Sequence, residues 1–257
     1  ALTFTGETGW VLPADADSTN APPPSPATLT MLREAAGERK LATLATLPNA
    51  KRPEPIGKAG EQVHAVRFAG ARGYVVTFRR IDPLYVLDLA NPADPRIAGS
   101  LEVPGFSDWL YPLNDALLFG VGREVDSLGR LGGLRLGLFD VGDAANPLAL
   151  DARTLGAAGS QSALDTSSHG LNWLQRGNVA RIALPVTLTA APFASSPVHG
   201  LQRIEVDTSA RTLVIKSLLN APASAPYPDL WSDRSLQLGD TLVYFTQGQV
   251  LSAPWSP

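Results

Sequence analysis

The chain has 257 residues, no cysteine, a net charge of -3, 44% hydrophobic residues and 18% charged residues. That balance supports a sizeable core and excludes disorder of the whole chain. Missing thiols exclude disulfides and thiolate metal sites. The slight acidity argues against a general nucleic-acid binder, because phosphate binding needs a basic surface. No run reaches the roughly eighteen apolar residues of a membrane-spanning helix, so no transmembrane segment is expected.

Taken in order, Ala1–Pro13 reads as one or two strands, ALTFTG and GWVLP. A chain opening on a strand looks like a fragment of a longer precursor. Ala14–Ala27 carries a proline cluster (Pro22, Pro23, Pro24, Pro26) and reads as a loop. Ala27–Arg33 and Lys40–Leu47 read as the outer pair of an incomplete unit, and Pro48–Gln62 as a polar link. Then come four short apolar runs, Val66–Ala69, Tyr74–Phe78, Leu84–Leu89 and Ile97–Val103, separated by turn residues. Runs this short and rich in Val, Tyr, Phe and Leu predict strands. Four sequential strands in about forty residues are the size of one propeller blade.

The pattern repeats. Trp109–Leu113, Leu117–Val121, Leu134–Val141 and Leu148–Thr154 predict a second blade. His169–Leu174, Ala180–Val186, Leu201–Asp207 and Leu213–Leu218 predict a third. Arg234–Leu238, Thr241–Thr246 and Val250–Pro254 stop after three strands, which an N-terminal strand is expected to complete. Asp88, Asp140 and Asp207 each end a third strand. An Asp there accepts hydrogen bonds from the backbone N–H groups of the turn, so these residues read as turn chemistry. The chain is therefore expected to be all-β, a propeller of four-stranded antiparallel blades forming part of a larger ring. A single domain is expected, with residues 1–62 an incomplete blade and proline-rich loop, 63–105, 106–156 and 157–220 full blades, and 221–257 an incomplete closing blade.

In a meander, alternate connections emerge on opposite faces. The longer ones, Arg123–Gly133, Gly156–Ser168, Leu188–Gly200 and Asn220–Asp233, belong to one face. Binding residues gather on loops held by a rigid scaffold. That face is expected to carry Arg79, Arg80, Arg123 and Glu124 after second strands. At or near the starts of inner strands, around the channel mouth, it is expected to carry Asp108, Trp109, Asp165, His169, Trp231, Asp233 and Arg234. Asp165, His169 and Arg234 are expected to lie near one another. Two readings compete. In one, the charges pair between blades and the aromatics pack on loops. In the other, arginine and tryptophan (Arg79, Arg80, Arg123 and Arg234 with Trp109 and Trp231) hold an anionic or sugar-like ligand, arginine forking onto carboxylate or phosphate and indole stacking.

Signals for catalysis are sparse. The three histidines, His64, His169 and His199, show no local ligand spacing. Only the fold can show whether they converge. Neither a metal nor a cofactor is expected. The serines near Asp165 and His169 lack a G-x-S-x-G elbow, and DSLGR at Asp126–Arg130 lacks the acidic pattern of a calcium loop.

The stretch GYVVTFRRIDPLYVLDLANPADPRIAGSLEVPGFSDWLYPLNDALLFGVGREVD, with GLRLGLFDVGDAANP and DRSLQLGDTLVYF, resembles the secreted C-terminal β-propeller domain family of bacteria and archaea. The Asp-Leu-Ala-Asn-Pro turn is also similar to LVIVD-repeat surface proteins. The resemblance covers roughly Val63 to Ser252. It carries the family's inner-strand histidine onto His169, within SSHGLNWL. Where the family often has another histidine, this chain has Tyr111. It implies a propeller outside the cytoplasm, secreted, periplasmic or on the cell surface, and no established reaction. The expected function is a non-catalytic binding scaffold for a protein, an envelope glycan or an anionic small ligand. The alternative is a hydrolase or lyase acting at the channel mouth.

Overall fold

The structure is a computed structural model and describes residues 2–3, 27–35, 37–59, 61–78, 82–103, 105–126, 128–192, 197–222 and 230–256. Arg79 and Arg80 lie outside the described residues. Nineteen strands are described, and they form five antiparallel sheets. The first sheet holds β1 (Leu2–Thr3), β2 (Thr28–Glu34) and β3 (Leu41–Leu47), in that order. The second is β4 (Gln62–Ala69), β5 (Arg72–Phe78), β6 (Asp82–Asp88) and β7 (Arg96–Val103). The third is β8 (Phe106–Pro112), β9 (Leu117–Val125), β10 (Leu131–Asp140) and β11 (Leu148–Leu155).

The fourth sheet has a divided inner edge. Its strands are β12 (Gln161–Ser162), β13 (Asn172–Arg176), β14 (Val179–Leu188), β15 (Val198–Asp207) and β16 (Thr212–Asn220). Both β12 and β13 pair with β14, one at each of its ends. The fifth sheet is β17 (Arg234–Leu238), β18 (Thr241–Thr246) and β19 (Gln249–Pro254). Leu2 and Thr3 pair with Leu29 and Thr28 of β2, so this described part of the N-terminal segment joins the first sheet and not the fifth.

The middle strands explain the packing. In β9, Leu117, Phe119 and Val121 point to the fourth sheet, whereas Leu118 points to the second. In β5, Val75 faces the first sheet, and Tyr74 and Val76 face the third. Strands buried on both faces must be apolar at every position, and these runs are nearly continuous. Each successive pair of sheets thereby encloses one apolar cluster. Stacking sheets in sequence through their faces is propeller packing, and the chain is an all-β propeller of antiparallel blades.

The short turns lie on one face, where arginines clasp neighbouring sheets. Arg52 and Lys51 hold Asp94 of the second sheet. Arg72 donates to the carbonyls of Asp115, Val141 and Gly142 in the third. Arg211 pairs with Asp140, and Arg181 with Asp240. The turn aspartates act as the sequence suggests: Asp88 accepts from the N–H of Ala90, Asp140 from Gly142, and Asp207 from Ser209 and Ala210. The opposite face carries the starts of the inner strands.

Candidate functional site at the channel mouth

The inner strands of the second, third and fourth sheets share a defect near their starts. In β4 the ladder slips between Val63 and Ala65, leaving His64 unregistered. In β8 it slips between Ser107 and Trp109, leaving Asp108 unregistered. In the fourth sheet the inner edge breaks after Ser162 and resumes at Asn172. A bulge re-aims a side chain and ends regular pairing, and bulges favour barrel rims and sites. Gly122 makes the second bulge possible, because a Cβ there would collide with the Phe106 carbonyl.

The two bulge residues meet: His64 Nδ1 lies 3.3 Å from Asp108 Oδ1. Phe106 sits against the imidazole, with ring centroids 4.7 Å apart. Both side chains are partly exposed, 26% for His64 and 36% for Asp108. The Nδ1 contact means that Asp108 sets the ring's orientation.

The break in the fourth sheet is filled by a turn that organises the rim. Ala163–Asp165 forms one 3-10 turn, whose start is tied by the Ser162 N–H donating to Asp165 Oδ2 at 3.1 Å. The segment folds back on itself at Gly170, whose N–H donates to the Ser167 carbonyl at 3.0 Å. A Cβ at Gly170 would lie 2.7 Å from Ala163 Cβ, so only glycine closes the turn.

Three of the expected site residues bond to this segment from outside it. Trp109 Nε1 donates to the Leu164 carbonyl at 2.9 Å. Arg123 donates to the Ser160 carbonyl and, at 2.5 Å, to Asp165 Oδ2. Arg234 Nη2 donates to Ser167 Oγ at 3.2 Å, and Nη1 donates to the carbonyls of Trp231 and Asp233. His169 lies in the segment itself and donates its backbone N–H to the same Ser167 oxygen at 3.3 Å.

Some details differ from the sequence expectation. His169 precedes the inner strand and does not begin it, because the turn occupies the first part of the run. The Asp165 carboxylate goes to Arg123 of the third sheet. Arg123 and Glu124 belong to β9, which extends to Val125. Arg234 reaches the segment through Ser167. Trp231 sits in a 3-10 turn, Leu230–Ser232, and is 60% exposed.

Sequence reasoning missed a network at the joint of the fourth and fifth sheets. His199 Nε2 lies 2.9 Å from Asp233 Oδ2, 3.1 Å from Thr246 Oγ1 and 3.2 Å from the Tyr244 hydroxyl. Its Nδ1 lies 3.1 Å from Thr187 Oγ1. The Tyr244 hydroxyl donates to Asp233 Oδ2 at 2.5 Å. Burial, reinforced by that bond to a carboxylate, pushes the Tyr244 phenol above its ordinary value. Burial also pushes Tyr111 up to about 12. Thr187 and His199 are cross-strand partners in the fourth sheet, but Asp233, Tyr244 and Thr246 come from the fifth, and no spacing in the chain announces that the two groups meet.

Among the described residues no three His, Asp or Glu side chains gather as a metal cage, and no helix is long and apolar enough to cross a membrane.

An uncharacterized protein of Methanocaldococcus jannaschii is 41% identical over 92 residues, spanning 36% of this chain and 14% of its own length. An uncharacterized protein of Archaeoglobus fulgidus is 46% identical over 87 residues, spanning 34% of this chain and 13% of its own length. The matches thus cover a small part of each relative. Among solved structures, an ACO/RPE65 chimera aligns with TM-score 0.36 and 14% identity, over 79% of this chain and 52% of its own. A Synechocystis ACO mutant aligns with TM-score 0.35 and 13% identity, over the same shares. The sequence pattern of the beta propeller domain family matches residues 13–256, and with nearly the whole chain covered, the protein belongs to that family.

Proposed function

We propose that this propeller is a non-catalytic binding scaffold outside the cytoplasm, and that its rim at the fourth and fifth sheets takes an anionic group on an envelope glycan. One observation carries the reading. The Arg234 guanidinium is held in place by two carbonyls and a serine hydroxyl. Among the described residues no carboxylate forms a salt bridge with it. Trp231, whose carbonyl takes one of those bonds, is 60% exposed. A fixed guanidinium forks onto a carboxylate or phosphate, and an indole stacks on a sugar face. Arg123, by contrast, is already neutralised by Asp165. The resemblance to a secreted propeller family supports the extracytoplasmic placement, and fractionation of the native cell tests it.

Calorimetric titration with acidic and neutral envelope oligosaccharides tests the ligand. Trp231→Ala and Arg234→Ala are each expected to weaken the acidic ligand about tenfold, equivalent to about 1.4 kcal/mol, with little change in Tm. Unchanged affinity in both variants overturns the reading. Binding of a protein but not of glycans replaces the ligand class. The second reading, a hydrolase or lyase at the mouth, is favoured by the His64 and Asp108 contact, since a carboxylate-oriented imidazole is the usual general base. Turnover of the same oligosaccharides that is lost in His64→Ala supports that reading over the first.

A further inference from the structure

The joint between the fourth and fifth sheets is built unlike the others. Its buried apolar cluster has five residues, against seven, ten and sixteen at the other three joints. Among the described residues five buried side-chain atoms have no hydrogen-bond partner, and four belong to this joint: Arg181 Nε, Asp233 Oδ1, Ser235 Oγ and Gln237 Oε1.

These atoms are arranged, not scattered. Asp233, Ser235 and Gln237 are alternate residues and share one strand face. Tyr244 confirms that face, since it bonds Asp233 and is the cross-strand partner of Ser235. The face looks at the fourth sheet: the Gln237 amide donates to Asn172 Oδ1 at 3.1 Å and to the Arg181 carbonyl at 3.1 Å. Asp233 is 0% exposed.

We propose that this seam is a built water-binding site, holding ordered water molecules against Asp233 Oδ1, Ser235 Oγ, Gln237 Oε1 and Arg181 Nε. Buried polar atoms in native proteins are nearly always satisfied, and buried water does this where several polar groups face one gap. The site lies behind the rim, at the strand whose start carries Arg234.

The test needs no rim ligand, so its outcome is separate from that of the binding proposal. Rotating-frame Overhauser spectra of the full chain in water are expected to show cross-peaks from long-lived water to the Gln237 side-chain amide. The peaks are expected to persist in Ser235→Ala, where relay through the serine hydroxyl is gone. Their absence in that variant overturns the proposal. The melting temperature of Ser235→Ala reads the same seam independently. If the seam is dry, the substitution deletes an unsatisfied hydroxyl and raises Tm, which also overturns the proposal. If it is wet, Tm stays or drops.

Discussion

His199 and Asp233 join the fourth and fifth sheets through a 2.9 Å contact between imidazole Nε2 and carboxylate Oδ2, with the aspartate fully buried. Removing one member of a buried pair leaves the other without compensation. His199→Ala is therefore expected to lower unfolding free energy by about 3–5 kcal/mol. Tyr244→Phe removes only one donor from the carboxylate and is expected to cost about 1–3 kcal/mol. Urea denaturation of both variants checks the order. An equal loss in the two assigns the joint to the phenol instead of the imidazole.

The same phenol has a signature in alkali. Tyr244 and Tyr111 are both pushed up, chiefly by burial. An acid with a raised folded value binds more protons folded than unfolded above about pH 10, the ordinary tyrosine value. Stability is then present below that pH and is lost as pH rises toward the folded value. The phenolate absorbance of the native protein is expected to lag behind that of the urea-unfolded chain. Tm is expected to drop above about pH 10, less steeply in Tyr244→Phe. Coincident titration curves, native and unfolded, contradict this.

The end of the fifth sheet is anchored by a buried tryptophan. Trp255 is 1% exposed, and its Nε1 donates to Glu205 Oε1 at 2.6 Å. Arg203 is itself buried and donates to the carbonyls of Pro254, Trp255 and Ser217. The Arg181 guanidinium lies 5.4 Å from the centre of the indole. Trp255→Ala empties the largest fully buried side chain among the described residues, and a loss of about 3–5 kcal/mol is expected in denaturant titration. A loss below about 1 kcal/mol contradicts the anchor.

Much of the architecture was legible because strand burial writes itself into local sequence. Val75, flanked by Tyr74 and Val76, is apolar on both sides of its strand, so the run announces a middle strand. Asp88, Asp140 and Asp207 announce turns through chemistry that acts within two or three residues. The rim was legible only by position. That Trp109, Arg123 and Arg234 turn to one inserted segment depends on the break after Ser162, and nothing in QSALDTSSHGLNWL marks where pairing stops. The His199 network was not legible. Its members come from β14, β15, β18 and the residue before β17, and pairing between strands of different sheets leaves no spacing in the chain.

The clasp between the first and second sheets gives the fold a sensitivity to acid. Hydrogen bonds from Arg52 and Lys51 hold the Asp94 carboxyl far below the ordinary carboxylate range. A depressed folded value means that the unfolded chain binds the proton first as pH drops. The contribution is fully present above the ordinary value of about 4 and is lost as pH drops toward the folded value. Asp94→Asn is expected to lower Tm at pH 7 and to leave it closer to wild type at pH 2.5. A deficit that is constant across that range assigns the loss to packing and not to charge.

The rim segment offers the sharpest test of how the site is held. Arg123 has a side chain only 17% exposed, and its guanidinium bonds the Ser160 carbonyl and Asp165 together. One planar group thus grips the start and the middle of the inserted turn. Lysine carries the charge but lacks the fork, and it cannot hold both acceptors in that plane. Arg123→Ala is expected to cost about 1.5–3 kcal/mol, the range for hydrogen bonds to charged groups, and Arg123→Lys to recover only part of it. Amide hydrogen exchange locates the effect. Protection is expected to disappear across Ser162–Gly170 in Arg123→Ala while β9, β10 and β15 stay protected, because those strands are held by the apolar clusters. If the segment keeps its protection, the turn is held by its own Ser162, Asp165 and Gly170 contacts, and Arg123 is not what fixes it.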